Sequence, residues 1–343
     1  MKAWVIHKVC DLSKENQPLK MVETEIPSPG KGELLLKVKA CGICHTELDE
    51  IEGRTPPHKY PVIPGHQVVG IVEQHNGRNE GIKKGDRLGV AWIFHTCGKC
   101  EYCLSGRENL CKDFVATGRD VNGGYAEYMV VPEDFVYPIP SVFSDIEAAP
   151  LLCAGAVGFR SLELCDHKDG GKIGFTGFGA SAHLVLKAAQ YLYPHSDTYV
   201  FACSENERNF ALELGCQWTG DTQEKPSALL DCVIDTTPVW VPDVKALEFL
   251  KPGGRLVINA IRKEDIDKNE LLNLDYSTHL WLEKEIKSVA NVTRADVFKY
   301  LDIASKMDFR PEVKAYPFEQ ANEALIEIKQ RKIKGAKVLV MDY

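Results

Sequence analysis

To about residue 140 the chain is a series of short runs in which apolar and polar positions alternate. Leu34, Leu36 and Val38 alternate with Leu35, Lys37 and Lys39, the period of a half-buried strand. Lys2–His7, Glu33–Ala40, Val68–Glu73, Arg87–Ala91 and Tyr125–Val131 are β-rich runs. Pro27-Ser28-Pro29-Gly30, Pro56-Pro57, Lys84-Gly85-Asp86 and Asn122-Gly123-Gly124 punctuate them. Short strands at such spacing predict a barrel or sandwich.

After about residue 145 the period changes. Ser144-Asp145-Ile146-Glu147 predicts a helix start, followed by the apolar run Ala148–Leu152. A strand is expected over Lys172–Thr176 and a helix over His183–Leu192. A second strand, Tyr199–Cys203, ends at Ser204-Glu205, before a helix from about Glu207 to Leu214 capped by Gly215. Asp231–Asp235, the helix Val241–Leu250 and the strand Arg255–Asn259 follow, with Lys251-Pro252-Gly253-Gly254 stopping that helix. Another strand near Glu285–Ala290 closes the unit. This alternation predicts a doubly wound parallel sheet. Helices over about Ala295–Ser305 and Phe318–Lys329 and a strand over Ala336–Met341 form the tail.

Bulk properties narrow the class. A length of 343 residues suits two domains. A net charge of -8 leaves no basic face for a general nucleic-acid binder. No apolar run is long enough to cross a bilayer, and Met1–His7 reads as a strand, without a signal peptide's apolar core. Twelve cysteines in a chain of this size point to metal and reduced thiols, hence to a cytoplasmic protein.

Two groups of residues carry candidate metal chemistry. Cys97, Cys100, Cys103 and Cys111 are spaced C-x2-C-x2-C-x7-C, which can wrap one ion tetrahedrally with Gly98 and Gly106 easing the turns. An iron–sulfur cluster shares the first three spacings, but the late fourth cysteine, followed by Lys112, favours a closed structural zinc. The second group begins Cys41-Gly42-Ile43-Cys44-His45-Thr46-Glu47 and ends Pro64-Gly65-His66-Gln67. A thiol and an imidazole so placed suit two ligands of an open catalytic zinc, with Cys153 as the third. The competing reading pairs Cys41 with Cys44 as a redox couple and leaves His66 a surface histidine. A third motif, Gly177-Phe178-Gly179-Ala180-Ser181-Ala182, lies between a strand and a helix. That context makes G-x-G-x-x-A a dinucleotide fingerprint: Gly177 for the turn, Gly179 for the approach of pyrophosphate, Ala182 for close packing.

These motifs, in this order and over nearly the whole chain, resemble the zinc-dependent medium-chain alcohol dehydrogenases. The resemblance implies a GroES-like β-barrel catalytic domain at 1–148 and 290–343, with a structural zinc lobe at about 95–112, and an inserted Rossmann domain at 149–289. It assigns the catalytic zinc to Cys44, His66 and Cys153, and so selects Cys44 over Cys41. It also implies Glu47 as the carboxylate orienting His66, Thr46 as first proton acceptor and Asp49 as the end of the proton relay. Cofactor contacts fall on His45, Gly177, Gly179, Ala182, Ser204, Glu205 and Arg294. Trp92 lines a pocket for small alcohols or is a core ring.

The implied activity is reversible oxidation of a small, primary alcohol with hydride transfer to NAD, with NADP open and two zinc ions per chain. Partners are alcohols and aldehydes, with no nucleic acid or membrane, and the chain is expected as a dimer or tetramer. The pattern departs from the family at three places. Gln67 replaces a frequent glutamate and Asp49 a frequent relay histidine, and Ser204-Glu205 stands where NAD users usually carry an acid. A polyol dehydrogenase or another medium-chain reductase is the nearest alternative, and a non-catalytic dinucleotide-binding redox sensor a remote one.

Overall fold

The computed structural model describes residues 1–179, 181–330 and 335–341. Two compact units divide the chain: residues 1–156 with 291–343, and residues 157–290.

The first unit opens with β1 (Lys2–Ile6), β2 (Leu19–Glu23) and β3 (Glu33–Ile43), and α1 (His45–Ile51) follows directly. Next come β4 (Gln67–His75), β5 (Arg87–Val90), β6 (Ile93–His95), α2 (Glu101–Leu104) and β7 (Val115–Ala116). Then β8 (Tyr128–Pro132), β9 (Val136–Pro138), α3 (Asp145–Ala148) and α4 (Ala154–Cys165) lead into the second unit. That unit holds β10 (Lys172–Thr176), α5 (Ala182–Leu192), β11 (Asp197–Phe201), α6 (Glu205–Glu213) and β12 (Trp218–Gly220). It continues with β13 (Leu230–Asp235), α7 (Val241–Phe249), β14 (Leu250–Ile258) and β15 (Glu285–Ser288). The chain then returns to the first unit as α8 (Arg294–Lys306), β16 (Val313–Pro317), α9 (Ala321–Lys329) and β17 (Ala336–Val340).

In the first unit the sheet runs β16-β17-β3-β4-β5-β9, with β8 also on β3. Strand β3 is its centre. Leu34, Leu35 and Leu36 are all buried, so both of its faces are covered where a single buried face was expected. With Val38, Val68, Val72, Val90 and Leu339, Leu34 and Leu36 form the core, each such side chain contributing about 1.5–3 kcal/mol on full burial. The second unit is a fully parallel sheet, β12-β11-β10-β13-β14-β15.

Several elements differ from the sequence expectation. Strands β2 and β16 carried no clear signal, because each is largely exposed and shows little apolar alternation. The helix expected to end before Lys251-Pro252-Gly253-Gly254 does end there, at Phe249, but that segment is also the irregular start of β14, where the register against β13 shifts between Leu230 and Cys232. Strand β11 ends at Phe201 rather than Cys203, and Ser204 is already the N-cap of α6. The helix expected from Ser144 is broken: α3 passes through a 3-10 turn, Ala149–Leu152, containing Pro150, and Cys153 stands in the gap before α4. No single helix among the described residues is long and apolar enough to cross a membrane.

A buried charge pair fastens the tail to the sheet. Lys337 on β17 is 3% exposed and pairs with Glu327 on α9, while its Nζ lies 2.7 Å from the Tyr316 hydroxyl on β16. Lys337 first, then the Tyr316 hydroxyl, holds the Glu327 carboxyl down to about 2 from its usual 4.5. A depressed carboxyl pKa gives stability that is fully present above about 4.5 and is lost as pH falls through about 2. Glu327→Gln leaves Lys337 buried without its anion, and we expect a loss of at least about 2 kcal/mol at neutral pH. Urea unfolding at neutral and acid pH checks this, and the wild-type advantage should shrink in acid.

Candidate metal and dinucleotide sites

The register of β3 against β4 brings the first two donor residues together. Gly42 pairs with Gln67 and Cys41 with Val68, so the end of β3 and the start of β4 are neighbours, and Cys44 and His66 lie just beyond them. Gly65 has φ +97°, and a Cβ there would meet Tyr125 at 2.3 Å, so only glycine admits this turn into His66. Cys153 arrives from the helix break. Leu152 is packed so closely on β5 that a Cβ on Gly89 would fall 2.6 Å from it.

His66 Nε2 stands 3.6 Å from Cys44 Sγ and 3.2 Å from Cys153 Sγ, and all three donor atoms fall within 4.8 Å of one another. Such separations suit one tetrahedral ion with ligand bonds of about 2.0–2.3 Å, and two thiols with one imidazole are a donor set that zinc favours. Cys44 is also the N-cap of α1 in a capping box: its sulfur accepts the Thr46 N–H at 3.3 Å, and Glu47 accepts the Cys44 N–H at 2.8 Å. The other Glu47 oxygen lies 2.8 Å from His66 Nδ1. One fully buried carboxylate therefore ties two donor residues to each other and turns Nε2 toward the sulfurs.

Around this trio the remaining candidates separate. Thr46 is half-buried and His45 exposed in the first turn of α1. Asp49 is buried and ion-paired with Arg54, a partner that sequence reasoning did not supply. The Trp92 ring stands edge-on to His66 with 6.5 Å between centroids, packed on Phe114 and covered by the Arg119 guanidinium. Gln67 is buried at the start of β4. Sequence reasoning also passed over Glu50. Its carboxylate is fully buried and has no hydrogen-bond partner among the described residues, and burial, then Glu47, pushes its pKa well above the usual range.

The four clustered cysteines also converge, with sulfur separations of 3.5 Å for Cys97–Cys111, 3.5 Å for Cys100–Cys103 and 3.9 Å for Cys97–Cys103. Gly98 and Gly106 have φ +67° and +69°, which accounts for glycine at both turns. The backbone N–H groups of Lys99 and Cys100 draw the Cys97 thiol down to about 6, toward the thiolate that a metal needs. Arg294, at the start of α8, is engaged by Glu108 of this lobe at 3.3 Å and lies over the Phe135 ring. It is therefore a paired cation rather than a bare phosphate ligand.

In the second unit Gly177 follows β10 with φ +76°, and Ala182 is the first residue of α5. A Cβ at Gly179 would meet none of the described residues within 4 Å, so they do not demand glycine there and leave the room that close approach of a pyrophosphate requires. Ala180 lies outside the described residues. Ser204 caps α6 and Glu205 opens it, both exposed.

Known proteins resemble this chain over nearly its whole length. The alcohol dehydrogenase GroES-like domain family matches residues 30–141. A probable alcohol dehydrogenase, AdhA, of Mycobacterium tuberculosis is 40% identical, covering 99% of this chain and 97% of that protein. An alcohol dehydrogenase of Geobacillus stearothermophilus is 32% identical, covering 99% and 98%. The solved cinnamyl alcohol dehydrogenase of Sorghum bicolor superposes with a TM-score of 0.85 at 26% identity, covering 99% of this chain and 97% of that one. The chain belongs to the zinc-dependent medium-chain alcohol dehydrogenase family, and it is an oxidoreductase that interconverts alcohols with aldehydes or ketones.

Proposed function

We propose that Cys44, His66 and Cys153 hold a catalytic zinc, that Cys97, Cys100, Cys103 and Cys111 hold a structural one, and that the substrates are small primary alcohols oxidised with NAD. The observation that carries this reading is the meeting of two thiols and an imidazole at one point, with Glu47 fixing the ring. Zinc bound there supplies a Lewis acid for the alcohol oxygen, and a nicotinamide dinucleotide supplies the hydride acceptor.

The chain's own residues then have separable tasks. Glu47 holds His66 and the first turn of α1 in the ligating geometry. The Thr46 hydroxyl takes the proton of the substrate hydroxyl. Asp49, the ion-pair partner of Arg54, is the next acceptor toward solvent. Trp92, beside His66, restricts the bulk of the substrate. On the second unit Gly177, Gly179 and the N-terminus of α5 from Ala182 receive the pyrophosphate. Glu205, with Ser204, accepts the ribose hydroxyl and disfavours a 2′-phosphate. Exposed apolar side chains between Ile261 and Ile286, beside the edge strand β15, support a homo-oligomer.

Elemental analysis should find two zinc ions per chain. Cys153→Ser should lose one of them and nearly all turnover while keeping most of its stability. Cys103→Ser should lose the other and more than about 3 kcal/mol of stability, since closed metal sites contribute directly to folding. One metal per chain, or two variants that behave alike, would refute this division.

For the proton, Thr46→Val should lower kcat at least about tenfold, or about 1.4 kcal/mol in the barrier. Asp49→Asn should cost less, because water can replace the carboxylate as acceptor. A more damaging Asp49→Asn, measured by kcat for ethanol oxidation, would make Asp49 the principal base. A screen of primary, secondary and polyhydric alcohols with both dinucleotides tests substrate and cofactor, and a higher kcat/KM with NADP would overturn the preference for NAD.

A further inference from the structure

The Gly177–Gly179 turn rests on a knot of buried charge at the carboxyl ends of β10 and β13. Thr176, the last residue of β10, donates its hydroxyl to Asp235 Oδ1 at 2.5 Å. Asp235, the last residue of β13, also accepts the Thr237 hydroxyl at 2.7 Å and the Thr237 N–H at 3.2 Å. Thr236 donates its N–H and its hydroxyl to the Thr176 carbonyl at 3.0 and 2.9 Å. A Cβ on Gly177 would lie 2.9 Å from Thr237 and 3.0 Å from Thr236, so the turn sits directly on these threonines.

Lys263 completes the knot. Its Nζ reaches Asp235 Oδ2 at 2.5 Å, Asp243 Oδ2 at 2.7 Å, and the carbonyls of Thr237 and Val239 at 3.0 and 2.9 Å. Asp235, Asp243 and the Lys263 side chain are all buried. Two buried carboxylates facing one ammonium leave a negative charge without a partner in a low dielectric, and a proton on one of them removes it. Burial first, then Asp235, pushes the Asp243 carboxyl up to about 8, and Lys263 opposes this. Asp235 on β13 and Lys263 after β14 are the charged groups that act on Asp243. Asp267 holds the N–H groups of Trp240 and Val241 at the start of the same helix.

We propose that Lys263, Asp235 and Asp243 are positioning residues for the cofactor, a proton-sharing knot that shapes the Gly177–Gly179 turn and makes dinucleotide affinity fall in alkaline solution. The inference rests on the reading of that turn as the dinucleotide site. With Asp243 protonated the knot is neutral. When Asp243 releases its proton to solvent, a net negative charge remains beneath the place where an anionic pyrophosphate binds. The ionised form prevails above about 8, so affinity is steady below that pH and declines above it.

NADH and NADPH are titrated into the metal-loaded protein by fluorescence, from about pH 6.5 to about pH 9.5, with thermal unfolding in parallel. For the preferred dinucleotide the wild-type Kd should rise at least about fivefold across this range. Asp243→Asn, which keeps the shape and cannot ionise, should bind like wild type at the acid end and flatten the profile. Lys263→Met should weaken binding throughout. An Asp243→Asn profile parallel to the wild type, or a flat wild-type profile, would overturn the knot while leaving the turn as the binding site. Variants that lose only melting temperature would reduce it to a structural ion pair. Wild-type protein that binds neither dinucleotide would overturn both readings.

Discussion

The Glu47 carboxylate joins the first turn of α1 to the His66 ring, and the geometry of the donor trio depends on that link. One oxygen holds the Cys44 N–H at 2.8 Å and the other stands 2.8 Å from His66 Nδ1. A thiol and an imidazole brought together only by packing would each keep rotamer freedom, and an ion would have to order both. Here the capping box fixes Cys44, and the same carboxylate fixes the ring. The β3–β4 register, the glycine at position 65 and the helix break at Cys153 all serve to bring side chains to this one point.

Charge is handled in the same way elsewhere in the chain. Asp49 with Arg54, Glu108 with Arg294 and Glu327 with Lys337 are ion pairs in which at least one partner is largely removed from water. Such pairs add little net stability, but breaking one leaves a charge stranded, so they hold their segments in a single arrangement. Asp49 and Arg294 show the functional consequence. Residues that look like a bare base and a bare cation in the sequence are each already occupied by a partner. Glu50 is the contrast, a buried carboxylate with no hydrogen-bond partner among the described residues, six residues after Cys44.

The two candidate metal-ligating groups illustrate two kinds of construction. Cys97 to Cys111 is a local lobe whose turns are set by glycines with positive φ. The trio draws its residues from a strand end, a turn and a helix break, with 22 residues separating Cys44 from His66 and 87 separating His66 from Cys153. The lobe can be formed by its own short stretch of chain around an ion, while the trio exists only once the sheet is registered.

The same difference separates what is legible along the chain from what needs the folded molecule. Spacing over a few residues carried the four-cysteine lobe, the strand-turn-helix context of Gly177 and Gly179, and the switch from alternating strands to a β/α order. Each depends on residues close enough in sequence to share one turn or one element. Residue types suggested a thiol, His66 and Cys153 as one site, but family likeness was needed to choose Cys44 over Cys41, because no local period encodes a contact across 87 residues. Strands β2 and β16, exposed and weakly patterned, were silent for want of a buried face. The end of β11 at Phe201, the Arg54 partner of Asp49 and the Lys263 knot were decided only by the tertiary structure. Strand ends follow from pairing register and buried charges from low-dielectric contact through space, and neither leaves a periodic trace along the chain.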